Sequence, residues 1–196
     1  MTSNHEHGDE RMPRAASTQE RILIAYEDLL LELGERGATL EAVASRAGVS
    51  KGGLLYHFGS KEALSSGLVE RLHRLTDEDL VLMMAAPAGP VDYLIRTSID
   101  ASSPLDRALI ATSRLAQAAD ARAGEALASI RSQWLAVITE AVGDPATARA
   151  IVLVSDGLYF NSAMRGMGTP DPADVSAEGI DSLLTVLDRF STPSVD

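Results

Sequence analysis

Side chains that could bind a phosphate backbone are concentrated between residues 39 and 64, in TLEAVASRAGVSKGGLLYHFGSKEAL. Both lysines of the chain, Lys51 and Lys61, lie in this stretch, ten residues apart. Lysine supplies a full positive charge, and a helix N-terminus adds free N–H groups and a partial positive charge. Such contacts position a protein on DNA without reading its sequence. These residue types therefore favour nucleic-acid binding.

Signals of catalysis or metal binding are weak elsewhere in the chain. His5 and His7 form a His-x-His pair in a polar tail, where adventitious metal binding is the most that we expect. The GMG at 166–168 lacks the preceding strand and the third glycine of a dinucleotide loop. Asp77 and Asp79 are interpreted as part of a solvated charged face. Because the chain has no cysteine, thiolate catalysis and cysteine metal sites are excluded. We predict no enzyme activity, no cofactor and no metal site.

The net charge of −11 argues against DNA binding until its distribution is considered. Residues 1–10 carry a net charge of −3, residues 11–74 carry +1, and residues 75–196 carry −9. Such asymmetry can mark a change of task along the chain. We expect a nearly neutral N-terminal part that contacts DNA through a few well-placed groups, and an acidic remainder.

The length of 196 residues suits one or two domains with a sizeable core. No stretch approaches the ~18 to 20 apolar residues of a membrane span. The N-terminal sequence MTSNHEHGDERMPRAAS lacks the apolar middle of a signal peptide. The expectation is a cytoplasmic protein without a membrane partner.

The elements that must position the basic stretch are helices, because the apolar spacing is helical nearly everywhere. Ser17 with Glu20 has the form of a capping box, which places the start of the first helix near Thr18. Gly34 and Gly37 are expected to end this helix.

The rest of the chain is predicted to be helical as well. A second helix runs from a Thr39 cap through Ala47, a third from a Ser50 cap through about Phe58, and a fourth from Ser60 through 61–84. Further helices follow the PAGP break at 87–90 and are predicted at about 91–101, 104–119, 123–142, 145–166 and 175–190. The fold class is all-α with about nine helices.

The second and third helices form a helix-turn-helix, which projects the N-terminal end of its second helix into the major groove of DNA. Gly48 is expected to adopt a positive φ in the turn. Helices this short are marginal alone, so packing against the first and fourth helices must fix them. The residues expected to face that core are Val43, Ala44, Ala47, Val49, Leu54, Leu55 and Phe58.

Residues 18–66 resemble the helix-turn-helix domain of the TetR family of transcriptional regulators, with AGVS, then a short helix ending in YHF, then SKEAL. Beyond that stretch, the similarity is in length and helical pattern. The resemblance implies a tail at 1–16, a DNA-binding domain at 17–65 whose last helix continues to about 84, a ligand-binding and dimerisation domain at 66–191, and a tail at 192–196.

The resemblance also implies DNA-contact roles. Residues 50–53 would open the recognition helix and meet the DNA. Because Gly52 and Gly53 provide little side chain for reading bases, we expect Lys51 and Arg46 to carry more of that readout. Two positions depart from the family pattern: Gly53 stands where many members have threonine, and Leu55 where many have an aromatic residue. The implied DNA-binding residues are Thr39, Arg46, Ser50, Lys51, Gly52, Gly53, Tyr56, His57 and Lys61, among which Tyr56, His57 and Lys61 could instead have only structural or surface roles.

Helices 145–166 and 175–190 are predicted to build a homodimer, since their apolar content exceeds one narrow stripe. An internal core is the alternative for these apolar residues. Helices between Pro90 and Gly143 should enclose an effector pocket, as the resemblance suggests. The candidate lining residues are Met83, Met84, Tyr93, Ser98, Ser113, Gln117, Trp134, Ile138, Asp156, Tyr159, Phe160 and Asn161, of which Trp134 could equally be a core residue.

The sequence thus predicts a repressor that a small-molecule ligand releases from a palindromic, double-stranded DNA operator. Ligand-dependent tilting of the long fourth helix would change the separation of the two recognition helices. The alternatives are an all-α enzyme with a coincidental helix-turn-helix, and a non-specific DNA-binding or interaction module.

Overall fold

The computed structural model describes residues 16–99, 102–163 and 176–191, and these form nine helices without a strand. Residues 1–15 of the predicted tail at 1–16, with His5 and His7, lie outside the described residues, as do the predicted tail at 192–196 and the break at 166–168. The helices are α1 (Thr18–Gly37), α2 (Leu40–Ala47), α3 (Lys51–His57), α4 (Lys61–Ala85), α5 (Pro90–Thr97), α6 (Pro104–Gln117), α7 (Ala121–Val142), α8 (Pro145–Ala163) and α9 (Ala177–Ser191). The all-α prediction is confirmed.

Side chains that accept a backbone N–H fix the starts of the first four helices. Ser17, Thr39, Ser50 and Ser60 each bind the N–H three residues further on. This is the N-cap geometry that the sequence predicted. The expected capping box at Ser17 was half right, because the Glu20 carboxylate turns instead to Arg71 on α4, 2.9 Å from Nε.

Some helix bounds differ from the prediction. The α5 helix ends at Thr97 rather than near 101. The α7 helix begins at Ala121 rather than 123, because the Asp120 side chain accepts the N–H groups of Arg122 and Ala123. Ala119, just before this cap, has a left-handed φ of 69°. The turn between α6 and α7 therefore has the predicted length of three residues, but it lies two residues earlier in the chain.

We call α1–α3 the head and α5–α9 the body, with α4 running through both. Leu54 of the head and Leu68 of α4 belong to a buried cluster that also contains Ala108, Ala111 and Leu115 of α6. A second buried cluster, around Ile95 and Ile151, lies wholly outside the head. The head therefore completes its apolar core with residues of the body, and the division predicted near residue 65 stays a prediction.

A buried ion pair ties α1 of the head to α4. Arg71 Nη1 donates to Glu27 Oε1 at 2.7 Å, and the exposed side-chain fractions are 5% and 1%. Burial raises the pKa of the Glu27 carboxyl from 4.5 to about 7, although the charges of Arg71 and Arg107 lower it. The desolvation of Glu27 thus outweighs the attraction of its guanidinium partner.

Candidate nucleic-acid interface and ligand cavity

The turn between α2 and α3 has the backbone geometry predicted for it. Gly48 has a φ of 68°, and its N–H closes the end of α2 on the carbonyls of Ala44 and Ser45. Arg21 of α1 donates to the carbonyl of Ala47 at 2.8 Å. The angle between α2 and α3 is therefore held by a glycine conformation and by a cross-link to α1.

The α3 helix buries one side and exposes the other. Leu54 and Phe58 are buried in the head, as the sequence predicted. Leu55 was expected to join them, but its side chain is 38% exposed, because it lies about 100° around the helix from Leu54. Tyr56 is 87% exposed and His57 is exposed beside it, with ring centroids 5.3 Å apart. Two aromatic side chains are thus available on the outer surface.

The N-terminal end of α3 is also open. Lys51 and Gly52 are exposed, and Gly53 is half-buried. The Ser50 hydroxyl oxygen accepts a hydrogen bond from the N–H of Gly53 at 3.0 Å and so caps the start of α3. Likewise, the Thr39 hydroxyl accepts the N–H of Ala42 at 3.2 Å on α2. Both caps keep their O–H donors available for a ligand outside the protein.

Each cation predicted to contact DNA is paired with a carboxylate of the head. Lys51 Nζ lies 2.5 Å from Glu41 Oε1, on an exposed surface. This hydrogen bond is the main cause that lowers the pKa of the Glu41 carboxyl. Lys61 Nζ donates to the Glu35 carboxylate at 2.7 Å and also to the Glu35 carbonyl at 2.6 Å. The free protein therefore holds both lysines in intramolecular ion pairs.

Arg46 forms a bidentate ion pair with Glu32 of α1. Its Nη1 and Nη2 donate to the two carboxylate oxygens of Glu32 at 2.9 and 2.7 Å. Asp28 lies 3.8 Å from Arg46 and also pairs with Arg107 of α6. These acids were missed by the motif comparison, since they lie on α1 outside the helix-turn-helix itself.

A cavity of about 700 Å³ lies between α4, α5, α6, α7 and α8. The predicted enclosure by helices between Pro90 and Gly143 therefore has to be extended at both ends, to α4 and α8. Residues that line the cavity are Leu75, Glu78, Asp79, Leu82, Tyr93, Leu94, Arg96, Thr97, Ser98, Ser103, Pro104, Leu105, Asp106, Leu109, Ser113, Leu127, Arg131, Trp134, Val152, Ser155, Asp156 and Tyr159.

Half of the predicted pocket residues lie on the cavity wall, namely Tyr93, Ser98, Ser113, Trp134, Asp156 and Tyr159. The other half do not. Met83 and Ile138 are fully buried in the second apolar cluster, while Met84 and Phe160 are 62% and 61% exposed. The remaining two off the wall are Gln117, which is exposed, and Asn161, which is half-buried. Met83 faces the second apolar cluster, while Met84, about 100° further around the helix, faces solvent.

Asp79 is a cavity residue that the sequence interpretation missed. It was taken as part of a solvated face, yet it accepts hydrogen bonds from Tyr93 Oη at 2.8 Å and from Trp134 Nε1 at 3.0 Å. Burial, followed by this hydrogen bond and the charge of Asp79, raises the pKa of the Tyr93 hydroxyl. The acid therefore joins α4 to α5 and α7 at the cavity wall.

The last two helices carry apolar side chains on their outer surface. Leu153 and Phe160 of α8 are 57% and 61% exposed, and Val186 of α9 is 44% exposed. Leu153 and Phe160 are seven residues apart, which places them on the same helix face. An apolar outer face on α8 is thus established for the single chain.

The residues that the structure describes contain neither a metal-ligating cluster nor a membrane-spanning helix. No group of three or more histidine and acidic side chains there could hold a metal ion. No helix within the same ranges combines the length and apolar content needed to cross a membrane.

Comparison with known proteins agrees with this geometry. Residues 22–66 match the family model described as bacterial regulatory proteins, tetR family. The transcriptional repressor BepR of Brucella suis is 37% identical over 71 residues, covering 36% of this chain and 34% of BepR. The transcriptional regulator RutR of Escherichia coli K12 is 37% identical over 95 residues, covering 45% of this chain and 43% of RutR. The chain thus spans less than half the length of these relatives.

The similarity in fold extends further than the similarity in sequence. The crystal structure of the multidrug binding protein EbrR complexed with malachite green covers 88% of this chain and 98% of that chain. The TM-score is 0.62 at 23% sequence identity, so this comparison bears on the fold alone. The chain shares its fold with a TetR-family member, SCO1917 of Streptomyces coelicolor A3, at a TM-score of 0.60 and 24% identity, and its residues 22–66 match the model of that family of bacterial regulatory proteins.

Proposed function

We propose that this protein is a cytoplasmic homodimeric repressor, which binds a palindromic DNA operator and is released by a small molecule in the cavity. The observation that carries the proposal is the exposed edge of α3, set on buried Leu54 and Phe58 within the segment that matches the TetR family. An exposed recognition helix with a rigid, buried inner side is what major-groove docking requires.

On this proposal, the ends of the helix-turn-helix meet the DNA backbone. Thr39, Tyr56, His57 and Lys61 contact phosphates, while residues 50–53 enter the major groove. The exposure of Thr39, Tyr56 and His57 supports these roles. Lys61 is half-buried against Glu35, so it exchanges an internal partner for a phosphate when DNA binds.

The pair Gly52 and Gly53 leaves α3 with little side chain for reading bases. A Cβ at Gly52 would meet nothing closer than the Ser50 hydroxyl at 4.0 Å, so the space beside it is open. Close approach of the backbone to DNA is therefore a use for these glycines. Lys51 and Arg46 would supply base contacts after leaving Glu41 and Glu32.

The dimer would form through α8 and α9. Their exposed residues Leu153, Phe160 and Val186 support this assignment, because large apolar side chains are costly to leave in water. Two recognition helices must lie ~34 to 36 Å apart to read successive major grooves. A pair of subunits joined at the far end of the body would set that spacing.

Ligand control would act through a shift between two dimer states. EbrR, which shares the fold, has been crystallised with malachite green, and the cavity here has a volume suited to an organic molecule of that class. A ligand changes the equilibrium only through its different affinities for the two states. A 100-fold loss of operator affinity requires a difference of roughly 2.7 kcal/mol.

A gel shift tests the DNA-binding part of the proposal. The purified chain is titrated against the DNA upstream of its own gene and against random DNA of equal length, at several salt concentrations. We expect a specific complex that survives salt better than the random one, because non-specific binding depends steeply on salt. Equal affinity for both DNAs would identify a non-specific binder instead.

Sedimentation of the free protein tests the dimer. We expect the full chain to sediment as a dimer and Phe160→Glu to shift it toward the monomer, with loss of operator binding. Ser132→Glu, at an exposed polar position on α7 outside the proposed interface, is the control for added charge. A dimer that tolerates Phe160→Glu and Leu153→Glu would place the interface elsewhere.

A further inference from the structure

The carboxylate of Asp79 on the cavity wall has two hydrogen-bond donors but no positively charged partner among the described residues. Asp79 Oδ1 accepts from the Tyr93 hydroxyl at 2.8 Å, and Oδ2 accepts from the Trp134 indole at 3.0 Å. Both donors are neutral. In the part of the chain that the structure describes, no cationic side chain lies within ion-pair distance of Asp79. The carboxylate is thus hydrogen-bonded, but its charge is not balanced locally.

The two arginines on the cavity wall already have acidic partners. Arg96 pairs with Asp92 at 3.0 Å and with Asp181 at 2.6 Å. Arg131 pairs with the cavity acid Asp156 at 2.8 Å. Neither guanidinium is therefore left to attract an anionic ligand or to neutralise the acid on α4.

The surroundings of Asp79 suit an organic cation. Tyr93 and Trp134 bring two aromatic rings to the carboxylate, and the faces of such rings attract positive charge. Leu75, Leu82 and other apolar residues form much of the remaining wall. A charge that is only partly exposed to water acts more strongly than one on the open surface.

We propose that the cavity binds organic cations with a bulky apolar body, and that Asp79 receives the positive charge between Tyr93 and Trp134. This inference rests on the proposed function, in which the cavity holds the effector. It adds the chemical class of that effector and the residue that selects it. Because Asp79 is on α4, the ligand would act on the helix that begins beside the DNA surface at Lys61.

Two probes of matched shape and opposite charge test the ligand class. Tetraphenylphosphonium is a cation and tetraphenylborate an anion of nearly the same size. Trp134 is the single tryptophan of the chain and lies at the site, so its fluorescence reports binding directly. We expect the intact protein to bind the cation at least about tenfold more tightly than the anion, a preference that one ligand-facing charge can supply.

Variants of α4 assign the preference to one residue. Asp79→Asn removes the charge but keeps an oxygen acceptor, and we expect it to weaken cation binding about tenfold or more. Asp79→Glu keeps the charge and should retain the preference for the cation. Asp77→Asn is the control, since Asp77 is an exposed acid on the same helix that does not line the cavity. It should change the affinity for neither probe.

The outcomes separate this inference from the proposed function. Equal binding of the two probes, tighter binding of the anion, or unchanged cation binding in Asp79→Asn would overturn the cation site, whatever the protein does on DNA. Because the comparison of the two probes uses the unmodified protein, it remains decisive if a variant fails to fold. If the cation binds through Asp79 but does not dissociate the operator complex when it is added to the gel shift, the cation site stands and release by this class of ligand is refuted.

Discussion

The buried Glu27 gives the head a stability that depends on pH, and the substitution Glu27→Gln isolates this dependence. Burial raises the pKa of the Glu27 carboxyl from 4.5 to about 7, against the opposing charge of Arg71. Between about pH 4.5 and about pH 7, the folded protein keeps a proton on Glu27 that the unfolded chain has released. The free energy of unfolding contributed by Glu27 is therefore greatest at low pH and falls as the pH rises toward 7.

The size of the effect follows from the two pKa values. Each pH unit inside the window changes the free energy of unfolding by about 1.4 kcal/mol. Relative to Glu27→Gln, the intact protein should lose about 2 kcal/mol of stability between about pH 5.5 and about pH 8, with most of the loss below pH 7. Glutamine does not titrate, so the difference between the two proteins removes the contribution of every other group that both share.

Urea unfolding at a series of pH values measures this difference. Far-ultraviolet circular dichroism follows the loss of helix in both proteins, and Glu70→Gln on the exposed side of α4 controls for a change of acid to amide. A difference between wild type and Glu27→Gln that stays constant or grows with pH would refute the reasoning. It would mean that attraction to Arg71, at 2.7 Å, outweighs the desolvation of Glu27.

Further predictions concern close packing and the DNA surface. Gly67→Ala should destabilise the protein by ~1 to 3 kcal/mol in thermal unfolding, because its Cβ would lie 2.6 Å from Phe58 Cε1. Gly124→Ala, with open space on α7, should be neutral or slightly stabilising, and equal losses in both variants would contradict the packing argument. Lys51→Ala should weaken operator binding by ~1 to 3 kcal/mol. Glu41→Gln should strengthen it, because the Glu41 carboxylate competes with DNA for Lys51. Fluorescence anisotropy at one salt concentration measures both, and a weaker complex in Glu41→Gln would exclude this competition.

The features that the sequence predicted correctly depend on neighbouring residues. The caps at Thr39, Ser50 and Ser60 satisfy N–H groups three residues away, and the positive φ of Gly48 is a property of one residue in one turn. Helical periodicity likewise marks which side of α2 is buried. For such features, the interacting groups lie within a few residues of each other in the sequence.

Features formed by distant segments could not be obtained in this way. The contact of Asp79 with Trp134 joins residues 55 positions apart, and that of Arg46 with Glu32 requires the angle between α1 and α2. Periodicity along α4 is also weak evidence, because this helix is covered on different sides by the head and by the body. Met83 and Asp79 were therefore assigned to the wrong environments, while the aromatic partner Trp134 was among the residues named for the cavity.

The shared core has a consequence for the modularity of this protein. Ala108, Ala111 and Leu115 of α6 are buried in the same cluster as Leu54 of α3 and Phe58, which follows α3 directly. A chimaera joined after residue 65 would give the grafted recognition helix a foreign inner surface, even though every residue of the family motif was preserved. A transplant of operator specificity that leaves the host protein in place should therefore exchange only the outward-facing residues of α2 and α3. Recombination between relatives is constrained in the same way, because a new head must be combined with an α6 whose side chains pack against it.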